Sequence, residues 1–267
     1  MSSERLDRAL VSRGLATSRS RAGQLVRAGS VRVDGRAVSK AATTVRTSQR
    51  VEVTEDDPWV SRAAHKLLGA LTACPEIAVQ GRRCLDAGAS TGGFTQVLLA
   101  QGARRVVAVD VGHDQLAPAL REDPRVENHE GLNLRGLSAG QLGEPFDLIV
   151  ADLSFISLRL VMAPLAGQAR AGADLLLMVK PQFEVGRERI ARTGVVTSPE
   201  LRREAVTAVV GSAEEHGLHL LSAHRSQLPG QDGNLEFFLH LRRSETSTGA
   251  SSGPASAARL DQVDYRD

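Results

Sequence analysis

The sequence predicts an α/β protein in which a doubly wound, mostly parallel sheet follows a small, basic α+β domain. In the larger part of the chain, short apolar runs alternate with helical patterns, and four of these runs end at a charged residue: Asp86, Asp110, Asp152 or Lys180. Such alternation is typical of βαβ units, which bind ligands at the carboxyl ends of their strands. The first fifty residues instead carry eleven Lys/Arg against three Asp/Glu, although the whole chain has a net charge of only +2.

Changes in composition divide the chain into four predicted segments. Residues 1–56 form the basic domain, 57–62 a linker around Pro58 and Trp59, and 63–243 the α/β domain. Residues 244–267 are rich in Ser, Ala and Gly, which predicts a disordered tail.

The overall composition is ordinary for a soluble globular protein, with 42% hydrophobic and 24% charged residues. The two cysteines, Cys74 and Cys84, are too few for a disulfide framework and lack metal-ligand spacing. The most apolar region, residues 146–165, is interrupted by charged residues and cannot span a bilayer. We therefore expect a cytoplasmic protein with no metal and no membrane partner.

A glycine-rich loop follows the apolar run that ends at Asp86, and a helical pattern begins near Phe94. A strand, a tight loop and a helix N-terminus together present backbone N–H groups to a nucleotide-like ligand. No Lys-Ser/Thr pair follows as in a P-loop, and the spacing of Gly88 and Gly92 differs from the dinucleotide-binding pattern. Glycine at these two positions is expected to let the ligand approach closely.

The acidic residues around this loop indicate S-adenosylmethionine (SAM) rather than NAD or ATP. Asp86 suits a ligand that carries an amino group, and Asp110 can accept both hydroxyls of a ribose. The predicted cofactor-binding residues are Asp86, Gly88, Ser90, Thr91, Gly92, Gly93, Phe94, Asp110 and Asp152.

The basic N-terminal segment has an organised pattern. Leu6 and Leu10 predict one helix, Thr17 or Ser18 can cap a second, and the Asp34-Gly35 turn lies between two apolar runs as in a hairpin. Clustered arginine favours a polyanion-binding surface, the alternative being a solvated face without a ligand. The predicted RNA-binding residues are Arg5, Arg8, Arg19, Arg21, Arg27, Arg32, Arg36 and Lys40.

Four charged residues lie where active-site groups are expected. Asp152 and Lys180 end neighbouring apolar runs, Lys66 lies in the first predicted helix of the domain, and Glu236 begins the last apolar run. An acid at the start of a buried strand is unusual unless it is paired or functional. Taken singly, each residue fits a structural ion pair, whereas the four together favour catalysis.

Two resemblances join these observations. Residues 4–55, with Arg5-Leu6-Asp7-Arg8 and Gly29 followed by a hairpin, resemble the RNA-binding motif named after small-subunit ribosomal protein S-four. Residues 60–240 resemble FtsJ/RrmJ-like RNA ribose 2'-O-methyltransferases, whose Lys-Asp-Lys-Glu active site matches four positions. The matching residues are Lys66, Asp152, Lys180 and Glu236.

The combination of these two domains is similar to the TlyA family, whose members are also labelled haemolysins. This resemblance implies a SAM-dependent enzyme that methylates the ribose of cytidine in ribosomal RNA, within the small or large ribosomal subunit. It also implies a link to susceptibility to capreomycin.

The expected chemistry explains why such a tetrad is needed. A ribose hydroxyl is a poor nucleophile, so methyl transfer requires loss of its proton and alignment of its oxygen with the S–CH3 bond. A lysine has an ordinary pKa of about 10.4, which burial and a second ammonium would lower. We expect Lys180 to accept the proton and Lys66 to tune it. Asp152 would orient Lys180 and the hydroxyl, while Glu236 would hold Lys66 or the ribose.

Three other functions remain as alternatives. An RNA base methyltransferase would carry Asn/Asp-Pro-Pro-aromatic, or a nucleophilic cysteine, after the fourth strand, where this chain has Asp152-Leu153-Ser154-Phe155. The intact tetrad argues against a non-catalytic RNA-binding factor. No strongly apolar amphipathic helix supports a membrane-active haemolysin.

Overall fold

The computed structural model describes residues 3–54, 57–245 and 253–266. The chain divides into two compact units, residues 1–64 and 65–267. Each has its own hydrophobic core.

The first unit combines two helices with short antiparallel strands. Its elements are β1 (Ser3–Arg5), α1 (Leu6–Ser12), α2 (Arg19–Ala28), β2 (Val31–Val33), β3 (Arg36–Ala37), β4 (Thr44–Arg46) and β5 (Val51–Val53). One sheet has the order β3-β2-β5, and β1 pairs with β4. Leu6 and Leu10 of α1 are fully buried against α2.

Local chemistry explains where these elements begin and turn. The Ser18 side chain accepts a hydrogen bond from the Arg21 N–H and caps α2, as expected of serine at this position. Asp34 and Gly35 have φ values of 51° and 79°, the left-handed pair that a tight two-residue hairpin requires. The predicted helices and hairpin are therefore confirmed.

The second unit contains a seven-stranded sheet in the order β11-β12-β10-β9-β6-β7-β8. Its strands are β6 (Arg83–Ala87), β7 (Arg105–Val109), β8 (Val126–His129), β9 (Phe146–Ala151), β10 (Ala169–Val179), β11 (Leu218–Arg225) and β12 (Phe237–Arg243). β12 is antiparallel to both of its neighbours, and every other pairing is parallel. This confirms the predicted α/β class and the mostly parallel sheet.

Helices and loops cover both faces of this sheet. The helices are α3 (Ala63–Ala73), α4 (Gly93–Ala100), α5 (Pro118–Arg121), α6 (Met162–Gln168), α7 (Pro199–Glu215) and α8 (Gly253–Leu260). Phe238 stacks on Phe94 of α4, whereas the adjacent Phe237 contacts Tyr265, which follows α8. Because successive strand residues point to opposite faces, α4 and the C-terminal segment lie on opposite sides of the sheet.

The prediction of a disordered tail over residues 244–267 is wrong for residues 253–266. Leu260 and Tyr265 are buried there, and Ser256 donates a hydrogen bond to Glu214 of α7. The Arg202 guanidinium, itself 1% exposed, donates to the Tyr265 carbonyl. These two apolar residues therefore anchor a segment whose composition is otherwise that of a flexible chain. Residues 246–252 and Asp267 lie outside the described residues.

Asp174 in β10 anchors a largely buried charge network. It accepts hydrogen bonds from Arg82 and Arg242 and contacts His240 Nε2 at 2.9 Å. Burial alone would lower the pKa of His240, but its bonds to Asp174 and Cys74 outweigh burial and raise the pKa to about 9. Within the parts of the chain that the structure describes, no helix is long and apolar enough to cross a membrane.

Candidate active site and basic surface

The sheet register brings the predicted catalytic residues to one edge. Val179, the last residue of β10, pairs with Phe237, the first of β12, so Lys180 and Glu236 flank the same antiparallel pair. In parallel register, Ala151 of β9 pairs with Leu177, which places Asp152 beside the end of β10. Lys66 reaches this edge from α3.

Two ion pairs occupy this edge. Lys66 Nζ donates a hydrogen bond to Glu236 Oε2 at 2.5 Å, and Lys180 Nζ lies 2.6 Å from Asp152 Oδ1. Both lysine side chains are only 10% exposed. Lys180 also donates to Ser154 Oγ at 2.8 Å. The site therefore contains two partly desolvated ammonium groups, each paired with one carboxylate.

The four charges form one electrostatic group. Burial raises the pKa of Glu236 above its ordinary value, and the positive charges of Lys66 and Lys180 oppose this rise. Asp152 raises the same pKa by like-charge repulsion. Asp152 Oδ1 is buried and is engaged by the Lys180 ammonium, whose nitrogen lies 2.6 Å away. The Lys180–Asp152 pair therefore fixes the position of the Lys180 nitrogen.

Gly88, in the loop after β6, is held close to the site. Its φ is +87°, and a Cβ there would lie 2.9 Å from the Asp152 carbonyl oxygen. A Cβ on Gly92, which has a φ of +94°, would collide with Leu116 and Leu120. Both glycines were predicted to let a ligand approach closely, and each is also close-packed against the protein itself. The close approach at Gly88 brings the ends of β6 and β9 together.

Asp86 and Asp110 have different surroundings. Asp86 is fully buried; its Oδ2 accepts from Thr95 Oγ1 at 2.7 Å, and its Oδ1 has no partner among the described residues. Burial raises the pKa of Asp86 to about 7. Asp110 accepts backbone hydrogen bonds from Ser90 and Gly112, so it fixes the glycine-rich loop and its own turn in one arrangement.

The other predicted cofactor residues are divided between surface and core. Ser90 and Thr91 are exposed on the loop, whereas Gly92 and Gly93 are buried at the start of α4. The Phe94 ring is 2% exposed and packs against Phe238. The structure thus gives Phe94 a role in the core and does not present its ring to a ligand on the loop.

An aromatic pair that the sequence did not predict lies near the ion pairs. Phe155 is 92% exposed and has a φ of +66°, a conformation that a bulky residue rarely adopts. Its ring centroid lies 5.5 Å from that of Phe183, which follows Lys180 closely in the chain. A strained, exposed aromatic residue three positions after Asp152 indicates a functional constraint. In the sequence, the only sign of this constraint is that Phe155 closely follows Asp152.

Glu184 fastens the two loops that carry Asp152 and Lys180. It is 7% exposed and accepts hydrogen bonds from Ser157 Oγ at 2.5 Å and the Leu158 N–H at 2.7 Å. Arg159 Nε donates to the same carboxylate at 3.3 Å. Glu184 therefore holds Ser157 and Leu158, which follow Phe155 in the same loop.

The predicted RNA-binding residues of the first unit are all exposed. Arg5 and Arg19 are brought together by Asp7, which accepts hydrogen bonds from both guanidinium groups. Arg32 donates to the Gly35 carbonyl and lies with Arg36 on the hairpin of β2 and β3. The remaining members of the set are Arg8 on α1, Arg21 and Arg27 on α2, and Lys40 after β3.

One group of potential metal ligands occurs among the described residues. Cys74, Glu76 and His240 have ligand atoms within 4.8 Å of one another. His240 Nδ1 contacts Glu76 at 3.0 Å, and His240 Nε2 contacts Asp174. Because both ring nitrogens of His240 contact carboxylates, we interpret this group as part of the Asp174 charge network and not as a metal site.

Known protein families match both the N-terminal segment and the α/β part of this chain. The family described as FtsJ-like methyltransferase matches residues 59–243, and the S4 domain family matches residues 4–51. The 16S/23S rRNA (cytidine-2'-O)-methyltransferase TlyA of Mycobacterium tuberculosis is 54% identical over 89% of this chain and 89% of its own length.

Two solved structures are similar to this chain. A protein from Streptococcus thermophilus with a provisional hemolysin name has a TM-score of 0.73 and 33% identity, over 98% of this chain and 96% of its own. A SAM-dependent methyltransferase from Mesorhizobium loti has a TM-score of 0.50 and 16% identity, over 67% of this chain and 98% of its own. This second likeness concerns the fold alone.

Proposed function

Because this chain belongs to the TlyA family of FtsJ-like methyltransferases, we propose that it transfers a methyl group from SAM to the ribose 2'-hydroxyl of a cytidine in ribosomal RNA. The observation that carries the proposal is the joint placement of the Lys66–Glu236 and Lys180–Asp152 ion pairs at one sheet edge. A function on ribosomes also implies a cytoplasmic location.

The loop after β6 fits the proposed cofactor. Asp86 Oδ1 is a buried acceptor without a partner in the described chain. Asp110 uses one oxygen for the Ser90 N–H of the loop and the other for the Gly112 N–H of its own turn, and each oxygen retains a further acceptor position for a ribose hydroxyl. Val111 is 69% exposed beside it and offers an apolar surface for a base. SAM, when bound, supplies an electrophilic methyl group.

The residues of the site would divide the work as follows. Lys180, held by Asp152 and Ser154, would accept the proton of the target hydroxyl as the oxygen attacks, after its ammonium has released a proton to solvent. Asp152 would orient the Lys180 nitrogen toward that hydroxyl. Lys66, paired with Glu236, adds positive charge where the oxygen becomes negative.

Phe155 and Phe183 support a further part of this proposal. Proteins that recognise RNA often bind unstacked nucleotides, whose bases stack on aromatic side chains. The exposed ring of Phe155 offers a face on which an unstacked base can stack. Glu184 holds the loop in place for this purpose.

The experiment incubates the purified protein and labelled SAM with separated small and large ribosomal subunits. Modified positions are then mapped by protection from alkaline hydrolysis. A 2'-O-methyl group removes the hydroxyl that drives backbone cleavage, so protection reports ribose methylation directly. Wild-type protein is expected to protect one linkage in at least one subunit.

Two variants of Lys180 and a control make the test specific. Lys180→Ala and Lys180→Arg are expected to lose protection, because arginine keeps the charge but does not give up or accept a proton at neutral pH. Arg125→Ala breaks an exposed ion pair with Asp123 in the same unit and should retain protection. Label without protection would show base methylation instead, and no label on either subunit would contradict the proposal.

A further inference from the structure

Residues 253–266, the C-terminal segment, contact the start of β12, directly after Glu236. We propose that Arg202 and Asn234 are positioning residues for the Glu236 carboxylate, and that the C-terminal segment completes the hydrogen-bond chain through which they act. The inference rests on the proposed function, because it concerns the geometry of the Lys66–Glu236 pair during methyl transfer.

The hydrogen-bond chain leads from the C-terminal segment to Asn234. Arg202 of α7 donates from Nη1 to the Tyr265 carbonyl at 2.8 Å and from Nε to the Val196 carbonyl at 2.9 Å. The Val196 N–H donates to Asn234 Oδ1 at 2.9 Å, and Asn234 Nδ2 donates to the Gly194 carbonyl at 3.0 Å. Arg202, Val196 and Asn234 are all buried. Because a buried polar group is costly to leave without a partner, these contacts fix Asn234 firmly.

Asn234 acts on Glu236 through the loop between β11 and β12. The Asn234 carbonyl accepts a hydrogen bond from the Gly230 N–H at 2.8 Å, and the Ser226 N–H donates to the Glu236 carbonyl at 2.8 Å. A Cβ on Gly230 would lie 2.7 Å from Glu236 Oε1, so the backbone of this loop packs against the carboxylate. Glu236 Oε2 in turn accepts the hydrogen bond from Lys66. A shift of Asn234 would therefore move the carboxylate and its lysine.

The Tyr265 ring supports the same end of β12. Its centroid lies 5.2 Å from that of Phe237, which is fully buried and adjacent to Glu236 in the chain. The Tyr265 hydroxyl is buried and has no hydrogen-bond partner among the described residues. We therefore expect Tyr265 to act through its ring and its backbone carbonyl, and not through its hydroxyl.

A purely structural role is the alternative, since each of these contacts also stabilises the fold. The two explanations predict different kinetics. Displacement of Glu236 and Lys66 weakens the stabilisation of charge at the reacting oxygen, so it lowers kcat and leaves the KM values for SAM and for the ribosomal subunit unchanged. Loss of packing lowers the unfolding midpoint, but the molecules that remain folded keep the wild-type kcat.

The test measures kcat, both KM values and the thermal unfolding midpoint of full-length variants, with labelled SAM and ribosomal subunits. The temperature is one at which every variant is folded. Arg202→Met and Asn234→Ala should each lower kcat about tenfold with both KM values unchanged. Val209→Ala is the matched control, because Val209 is also buried on α7 and its truncation leaves a cavity. It should lower the unfolding midpoint and leave kcat unchanged.

A shortened protein that ends at Asp264 tests the C-terminal segment without a substitution in α7. It lacks both the ring and the carbonyl of Tyr265, so its kcat should fall about as far as that of Arg202→Met. Combining the two changes should cause little further loss, because both break the same hydrogen-bond chain. Tyr265→Phe keeps the ring and the carbonyl and should retain the wild-type kcat. The shortened protein also replaces Arg202→Met in the test if that variant does not fold.

Three results would overturn the inference while leaving the proposed function intact. They are a wild-type kcat in the shortened protein and Asn234→Ala, an equal fall of kcat in Val209→Ala, and a raised KM for SAM at unchanged kcat. The last result would assign the C-terminal segment to cofactor binding instead. Wild-type protein that transfers no label to either subunit would contradict the proposed function and, with it, this inference.

Discussion

Lys180 and Glu236 stand at the same end of an antiparallel strand pair because Val179 is paired with Phe237. Each then turns to a different partner, Lys180 to Asp152 and Glu236 to Lys66. The site therefore consists of two ion pairs. Lys180–Asp152 joins the ends of β10 and β9, and Lys66–Glu236 joins the start of β12 to α3. The predictions below separate what these ion pairs do for stability from what they do for activity.

The Lys66–Glu236 pair is expected to contribute differently to stability and to activity. Glu236→Leu leaves Lys66 largely buried without its partner, so the free energy of unfolding should fall by about 3 kcal/mol. Lys66→Met combined with Glu236→Leu removes both charges and should restore most of that stability. Both variants should lack methyl transfer. Urea unfolding and the protection assay measure the two properties.

The matched control for this pair is Glu204→Ala, which breaks an exposed ion pair with Arg189. It should cost less than about 1 kcal/mol and leave methyl transfer intact. A double variant that methylates normally would show that the pair is structural only.

Phe155 is expected to affect activity without affecting stability. Its side chain is almost fully exposed, so Phe155→Ala should leave the unfolding midpoint unchanged. Loss of base stacking should lower methyl transfer about tenfold, whereas Phe155→Trp should retain it. The measurement is the initial rate of label transfer to ribosomal subunits. Leu160→Ala, another exposed apolar residue, serves as the control, and an equal loss there would argue against a stacking role for Phe155.

Gly88→Ala is expected to damage the site through the backbone of Asp152. The substitution combines a positive φ with a Cβ 2.9 Å from the Asp152 carbonyl oxygen. Gly140→Ala is the matched control, because Gly140 also has a positive φ (+76°) but a Cβ there meets nothing within 4 Å. Gly140→Ala should cost about 1 kcal/mol of stability and no activity. Gly88→Ala should lower the stability by more than Gly140→Ala does and should reduce methyl transfer. If the two variants lost equal stability and activity, the positive φ alone would explain the effect.

His240 is expected to make stability depend on alkaline pH. Its pKa is raised from 6.5 to about 9 in the folded protein, so the folded state binds the proton more tightly than the unfolded state. This stabilisation is fully present below about pH 6.5 and is lost as the pH rises through about 9. The difference in unfolding free energy between wild type and His240→Gln, measured from pH 6 to pH 10, should therefore shrink. A constant difference would contradict the raised pKa.

The sequence predicted where the strands end, because the end of an apolar run is a local pattern. It also placed the four charged residues on particular helices and strands for the same reason. An apolar run that stops at Asp152 or Lys180 reports a strand end without any knowledge of its neighbours. The shared carboxylate of Asp7 and the loop contacts of Glu184 could not be predicted, because each depends on residues distant in sequence. Tyr265 was missed for the opposite reason: the composition of its segment concealed an apolar anchor.

The position of β12 in the sheet has a consequence for how the protein folds during synthesis. β12 is the last strand among the residues that the structure describes, yet it lies between β10 and β11. Until it emerges from the ribosome, those two strands each lack a neighbour, and their unpaired edges are open to wrong pairing. Glu236 arrives with β12, so the last strand closes the sheet and completes the ion pairs in the same step. A nascent chain of this protein therefore has the glycine-rich loop before it has the complete site.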